Sequence, residues 1–377
     1  MISLSRLRLT AFLATSLLCV GAPTFGQDRS LKAAAQGRFL IGVAINEKVF
    51  LGKNATEVGI VTSHFNSVSP ENCLKWETVH PEPGRYDFSA ADRYVAFGVE
   101  HRLFIIGHTL MWHYQTPDWV FKNPDGTPKN KAQLLEELRS HTQTVVGRYK
   151  GRIRGWDVVN EAIDDEGRLR TDKPWYRILG EEGVIEAFRA AHEADPAAEL
   201  YYNEFSLWLP AKRPAVLQLV ARVRAAGIPV AAVGLQEHYM MAGPSPEEVG
   251  ETIDAFAREH LPVMITELDV SVLPRPENYA GADLAALQAR KAELDPYPVA
   301  LPETVERALA ERYAALFAVY RNHASAIKRI TFWGVSDADT WLNNWPIPGR
   351  HDYPLLFDRG DHAKPALPAI LDALARP

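Results

Sequence analysis

Glutamate, asparagine, histidine and tryptophan recur in this chain directly after short apolar runs, where strands would deliver them to one rim. Ser69-Pro70-Glu71-Asn72 closes the second such run, with Lys75 and Trp76 just beyond, and His108 closes the third, ahead of Trp112-His113-Tyr114-Gln115. Asn160-Glu161 ends the fourth, Asn203-Glu204 the fifth and Gln236-Glu237-His238 the sixth. The seventh ends in Thr266-Glu267-Leu268-Asp269, and the eighth in Trp333 ahead of Asp337 and Trp341. Taken singly, each has an ordinary structural explanation: a buried histidine, a helix N-terminal carboxylate, a core indole. Their coincidence across seven runs points to an active site.

Several chemistries lack their parts. The first run, Gly42-Val43-Ala44-Ile45-Asn46, carries no His-x-His, and no H-E-x-x-H or cysteine cluster appears. There is no Gly-rich phosphate loop after the last two runs and no G-x-S-x-G elbow. Lys75 lies past a strand end, among carboxylate and amide neighbours, not where a Schiff-base lysine is expected. Carboxylates, amides, imidazoles and indoles remain, which are the parts of a carbohydrate site: indoles stack on sugar faces and polar groups take the hydroxyls. Cleaving a glycosidic bond needs two carboxyl groups, one protonated and one ionised. Glu161 and Glu267 fit best, because each closes an apolar run and the fourth and seventh strands face across a barrel. His238 and Asp269 are placed to orient Glu267 and keep it ionised. Pairings drawn from Glu71, Glu204, Glu237 or Asp157 remain open. Of these, Asp157 reads as outward-facing or structurally paired, Glu237 as pointing away from Gln236 and His238 by strand alternation, and Glu71 as a sugar-hydroxyl ligand.

The runs that must position these groups are residues 39–45, 64–68, 103–110, 153–160, 199–203, 230–236, 263–268 and 327–334, rich in Val, Ile, Phe and Tyr. Near-continuous apolar runs suit strands buried on both faces. Between them, Leu134, Leu135, Leu138, Val145 and Tyr149 follow helical spacing, as do Val249, Ile253 and Phe256, and Val305, Leu309, Leu316, Phe317 and Tyr320. A last helix is expected at 366–375. Eight such alternations predict a single α/β domain, a (β/α)8 TIM barrel, over 27–377. A doubly wound open sheet is the alternative, but no G-x-G-x-x-G follows the first run. The Pro-rich stretch 271–302 would then be an insertion on the functional rim.

With 47% hydrophobic and 23% charged residues over 377, the composition is that of a globular protein. A net charge of −6 without a basic stripe argues against nucleic acid as a partner. Arg6 and Arg8 precede an apolar stretch over 9–22 that exits through Gly21, Ala22 and Gly26, the pattern of a signal peptide over 1–26 cleaved after Ala22 or Gly26. Cys19 lies within it, after a Leu that suits lipoprotein processing poorly. Cys73 is then the lone thiol, best read as a small buried hydrophobe. The mature chain is expected to be secreted or periplasmic, free of the membrane and monomeric.

These residues resemble glycoside hydrolase family 10, the endo-β-1,4-xylanases, over about 39–367. Asn66-Ser67-Val68-Ser69-Pro70-Glu71-Asn72 and Gly107-His108-Thr109-Leu110-Met111-Trp112-His113 look like its second- and third-strand motifs. Trp156-Asp157-Val158-Val159-Asn160-Glu161 is similar to its acid/base signature and Ile265-Thr266-Glu267-Leu268-Asp269 to its nucleophile signature. Phe332-Trp333-Gly334 and Pro354-Leu355-Leu356-Phe357-Asp358 complete the series in order. The resemblance implies retaining hydrolysis of xylan or xylo-oligosaccharide without a cofactor or metal, with Glu267 the nucleophile and Glu161 the acid/base. Retention goes with carboxyl groups about 5–5.5 Å apart, against roughly 6.5–9.5 Å for inversion. It further implies that Glu71, Asn72, Lys75, His108, Trp112 and Gln115 hold the glycone side. Asn160 and Gln236 would contact the reacting sugar and the nucleophile, with His238 and Asp269 behind Glu267. Trp333 and Trp341 would wall the cleft, the latter against a bulky C5 substituent. Asn203 and Phe205 would serve binding, but Asn203-Glu204-Phe205 departs from the usual Asn-Asp-Tyr, losing a hydroxyl on the leaving-group side. The same barrel acting on another β-linked glucan, or retained only to bind sugar, are the competing readings.

Overall fold

Strands buried on both faces need helices around them, and the chain supplies the two in alternation. The computed structural model describes residues 29–275 and 284–376; the expected signal segment and part of the 271–302 insertion lie outside the described residues. The strands are β1 (Leu40–Ile45), β2 (Ser67–Pro70), β3 (Phe104–Trp112), β4 (Gly155–Asn160), β5 (Glu199–Glu204), β6 (Ala232–Leu235), β7 (His238–Met240), β8 (Val263–Ser271) and β9 (Ile327–Phe332). All pairings are parallel and run in chain order from β1 to β6, while β9 pairs with both β1 and β8. Pairing of β6 with β8, Val233 opposite Val263 through Leu235 opposite Ile265, closes the ring. Because β7 only prolongs β6 along β8, the barrel has eight staves and is the expected (β/α)8 fold. Every residue of β2, β4, β6 and β8 is buried, as two covered faces require.

The strand boundaries shift from the expected ones by up to three residues, and three of the shifts have a visible cause. The second strand is displaced to Ser67–Pro70, because Asn54 caps a helix, Ala55–His64, that absorbs the start of the apolar run. That helix buries Glu57, Ile60 and Val61, an i, i+3, i+4 pattern that outweighs the β-branched content. The sixth strand breaks after Leu235, where Glu237 adopts a left-handed backbone (φ 59°) that interrupts the ladder. The seventh continues to Ser271, because Asp269–Ser271 find partners in β7.

Helices start where capping boxes place them: Asn130 with Gln133 opens Lys131–Arg148, and Ser245 with Glu248 opens Pro246–Arg258 behind a first-turn proline. The last helix is Ala366–Ala375, as expected. Inside the barrel, Ile106, Tyr201, Ala232 and Met264 form an apolar cluster of their own, with Arg329 also buried. Two glycines permit the close approaches there. A Cβ at Gly107 would lie 2.1 Å from the Trp156 ring, and one at Gly234 2.1 Å from Asn203 Oδ1. No described helix is long and apolar enough to cross a membrane.

Candidate active site

The carboxyl ends of the strands open into a cleft of about 500 Å³, and both glutamates selected from the sequence line it. Glu161 leaves β4 in a left-handed conformation (φ 59°), a strained geometry for a residue with a Cβ. Glu267 lies inside β8, not at its end, where the register with β9 shifts between Ile265 and Leu268. That irregularity turns its carboxylate into the mouth.

A chain of amides joins the two acids. Gln236 Nε2 donates to Glu161 Oε1 at 3.0 Å and to Asn160 Oδ1 at 3.2 Å. Asn203 Nδ2 donates to the same Asn160 Oδ1 at 2.8 Å and to Glu267 Oε1 at 2.7 Å, while its Oδ1 accepts from Thr266 Oγ1. One expectation is corrected here. Asn203, expected against substrate, is fully buried beneath Glu267 and does not line the cleft. Gln236, expected to contact the reacting sugar and the nucleophile, lines the cleft; its amide reaches Glu161 and its backbone carbonyl accepts from the Glu267 N–H at 2.9 Å. Glu161 also accepts from Trp112 Nε1 at 2.8 Å, through Oε2, and from Asn160 Nδ2 at 3.2 Å.

Glu267 Oε2 bonds His238 Nε2 at 3.1 Å, and His238 Nδ1 bonds Asp269 Oδ2 at 2.9 Å. Trp341 Nε1 donates to that same Asp269 oxygen at 2.8 Å, so the cleft wall and the support of Glu267 share an anchor. Burial opposes charge on His238, but Asp269 and Glu267 outweigh it and push the imidazole up to about 10. Burial likewise opposes charge on Glu267, yet the His238 bond, the nearby His108 and the Asn203 amide hold its carboxyl below the ordinary value. Glu267 is therefore ionised and His238 protonated near neutral pH.

At the other end of the cleft, Lys75 Nζ donates to Asn72 Oδ1 at 3.0 Å and lies 5.0 Å from the Trp112 ring centroid. Glu71 stands beside them; burial, then repulsion from Asp339, raises its carboxyl to about 7. His108 also lines the cleft and is held by Asp157 at 2.9 Å, so Asp157 is structurally paired. Gln115 lines the cleft while donating to Glu77 at 2.8 Å, and Trp333 and Trp341 wall it. Phe205 completes the sequence-selected lining. The alternatives Glu204 and Glu237 are buried away from the cleft, Glu204 against Lys212 and Glu237 against Tyr320. Ser206, Trp208, Arg275 and Trp345 line the cleft without having been singled out, and Tyr114 without having been given a role; for the aromatic ones, a ring in the loop behind a strand end is the signal that was available. Among the described residues there is no cluster of three or more His, Cys, Asp or Glu able to hold a metal.

Comparison with known proteins follows the same lines. A model of glycosyl hydrolase family 10 matches residues 30–373. Endo-1,4-beta-xylanase A of Xylanibacter ruminicola is 40% identical over 364 residues, covering 97% of this chain and 98% of that protein. Endo-1,4-beta-xylanase B of Paenibacillus barcinonensis is 39% identical over 330 residues, covering 87% and 93%. A GH10 endoxylanase retrieved from sugarcane soil metagenome superposes with a TM-score of 0.85 at 39% identity, over 92% of this chain and 99% of that one. A mutant protein solved in complex with xylotriose gives a TM-score of 0.81 at 33% identity, over 91% and 99%.

Proposed function

The chain belongs to glycosyl hydrolase family 10 and is a retaining glycoside hydrolase, and from that premise we propose that it is a secreted endo-1,4-β-xylanase in which Glu267 is the nucleophile and Glu161 the acid/base. Its substrate is xylan or a xylo-oligosaccharide, bound through Glu71, Asn72 and Lys75 on the glycone side and past Phe205 on the leaving-group side. Glu267 attacks the anomeric carbon while Glu161 gives its proton to the departing oxygen. Glu161 then takes a proton from water, which attacks the glycosyl-enzyme and releases the sugar with its configuration retained. The observation carrying this division of labour is the bonding of Glu267. A carboxylate that accepts from a protonated His238 and from the Asn203 amide is kept ionised, which a nucleophile needs. Asp269 and Trp341 act through His238.

The apolar N-terminal stretch behind Arg6 and Arg8 supports export and action on a polymer outside the cell. The test is reducing-sugar release from glucuronoarabinoxylan beside carboxymethyl-cellulose, with the anomer of the first product followed by NMR. Release from xylan with the β-anomer formed first, abolished by Glu267→Ala, is the expected result. An undiminished rate in the alanine variant overturns the assignment.

A further inference from the structure

Beside Glu161, one aromatic ring is held by two cations, each of which also grips the segment carrying that glutamate. Lys212 Nζ lies 3.7 Å from the Phe205 ring centroid, and Arg170 Cζ lies 5.3 Å from it. Arg170 Nε donates to the Glu161 carbonyl at 3.1 Å. Lys212 is fully buried and bonds Glu204 Oε1 at 3.0 Å and Asp165 at 3.2 Å. Glu204, itself fully buried, accepts from the backbone N–H of Phe205 and, through its other oxygen, from that of Ile163, two residues past Glu161. Tyr202 Oη donates to Glu204 at 2.8 Å and accepts from Ala162 N–H. The loop is packed to match: a Cβ at Gly167 would meet the Ala211 carbonyl at 2.4 Å, next to Lys212.

We propose that Lys212, through its stacked contact with Phe205 and its ion pair with Glu204, is a positioning residue that couples the leaving-group platform to the acid/base segment. The inference rests on the hydrolase reading above. Chemistry supports the coupling, because the group that protonates the departing oxygen and the ring that receives the departing sugar must be neighbours. A desolvated ammonium over a ring fixes its tilt, and the same Phe205 lines the cleft that receives the sugar. A platform already ordered does not have to be ordered when substrate binds. The same ammonium compensates the buried charge of Glu204, which would otherwise be left alone in an apolar setting. Phe205, lacking a hydroxyl with which to anchor itself, depends on this contact for its orientation.

The experiment compares kcat/KM for xylotetraose, whose leaving group is a sugar, with that for a 4-nitrophenyl β-xylobioside. The nitrophenolate leaves without needing the platform or much protonation. In Lys212→Met, which keeps the stem and removes the charge, the xylotetraose value is expected to fall about tenfold relative to the aryl value, the loss of roughly one desolvated cation–ring contact. Phe205→Leu is expected to give a similar change in that ratio, and the double variant no more than either single one. Glu204→Gln/Lys212→Met strands no buried carboxylate and reads the same ratio if the single Met variant does not fold. Equal losses on both substrates, or fully additive losses in the double variant, overturn the proposal. Inactivity of the wild-type protein on both substrates would instead reject the hydrolase reading itself.

Discussion

Replacing His238 with alanine removes the hydrogen bond that helps keep Glu267 charged. In the native site the protonated imidazole donates to Glu267 Oε2 at 3.1 Å and to Asp269 at 2.9 Å. A hydrogen bond to a charged group contributes about 1.5–3 kcal/mol, or roughly one to two pH units on the carboxyl that loses it. Burial, which alone would raise Glu267, then meets less opposition, because Asn203 and His108 remain as the compensating groups. A nucleophile must be ionised, so the acidic limb of kcat/KM should move up by about one to two pH units. The assay is kcat/KM for an aryl β-xylobioside between pH 3 and 8, where the limbs report the free enzyme. Stability should respond with the opposite handedness in pH. His238 is raised to about 10, so its contribution is complete below the ordinary histidine value near 6.5 and is lost as pH climbs toward 10. Glu267 is lowered, so its contribution is present above 4.5 and disappears on acidification. The alanine variant should therefore lose less thermal stability than wild type between pH 7 and 10. An acidic limb that stays where it is in wild type would refute the reasoning.

Glu161→Ala should lower kcat on xylo-oligosaccharides by about 10²–10⁴, the usual worth of a general acid, while the first step on an activated aryl glycoside falls far less. Pre-steady-state release of the phenol measures this, and equal losses would argue that Glu161 does not protonate the leaving group. Gly234→Ala puts a methyl 2.1 Å from Asn203 Oδ1 and 2.8 Å from Thr266 Cγ2. It should displace the amide that holds Glu267, cost about 1–3 kcal/mol of stability by overpacking and lower kcat/KM at least about tenfold; wild-type kinetics in a folded variant would contradict the role given to Asn203. Amino-terminal sequencing of exported protein should begin at Pro23 or Gln27, whereas a lipid on Cys19 or a retained Met1 would exclude the expected processing.

The catalytic candidates were legible because a parallel barrel turns a one-dimensional pattern into a place. Apolar runs become staves, and whatever follows them becomes rim. That logic reached Glu161, Glu267, Trp112, His238 and Trp341 directly. It failed where the answer depended on depth or on rotamer. Asn203 ends an apolar run like the others, but Gly234 opposite it leaves room for its side chain to lie inward, under Glu267. Gln236 is two residues from His238 and shares its face, yet the break at Glu237 lets the two serve different carboxylates. Tyr114, Trp208 and Trp345 come from loops, where no periodicity says which way a ring turns. The displaced second strand shows the same limit: the helix that Asn54 caps runs on through His64, and the strand begins only at Ser67.

On this rim, backbone strain is held in place by a network. Four non-glycine residues at or beside the cleft, Gln115, Glu161, Ser206 and Glu237, have left-handed backbones, a geometry that costs on the order of 1–3 kcal/mol for each. Such turns persist only where surroundings over-determine them, and at Glu161 the surroundings are visible. Three side-chain donors fix its carboxylate, Arg170 holds its carbonyl, and its N–H donates to the Asn203 carbonyl. The amides that fix it also reach Glu267, through Asn160 and Asn203, so the spacing of the two acids is set by β4, β5, β8 and the end of β6, not by loops. Donors aligned before substrate arrives need no rearrangement as charge develops. On this account the strain at Glu161 is the cost of turning an acid off the end of a strand while keeping it on the rigid frame that carries its partner.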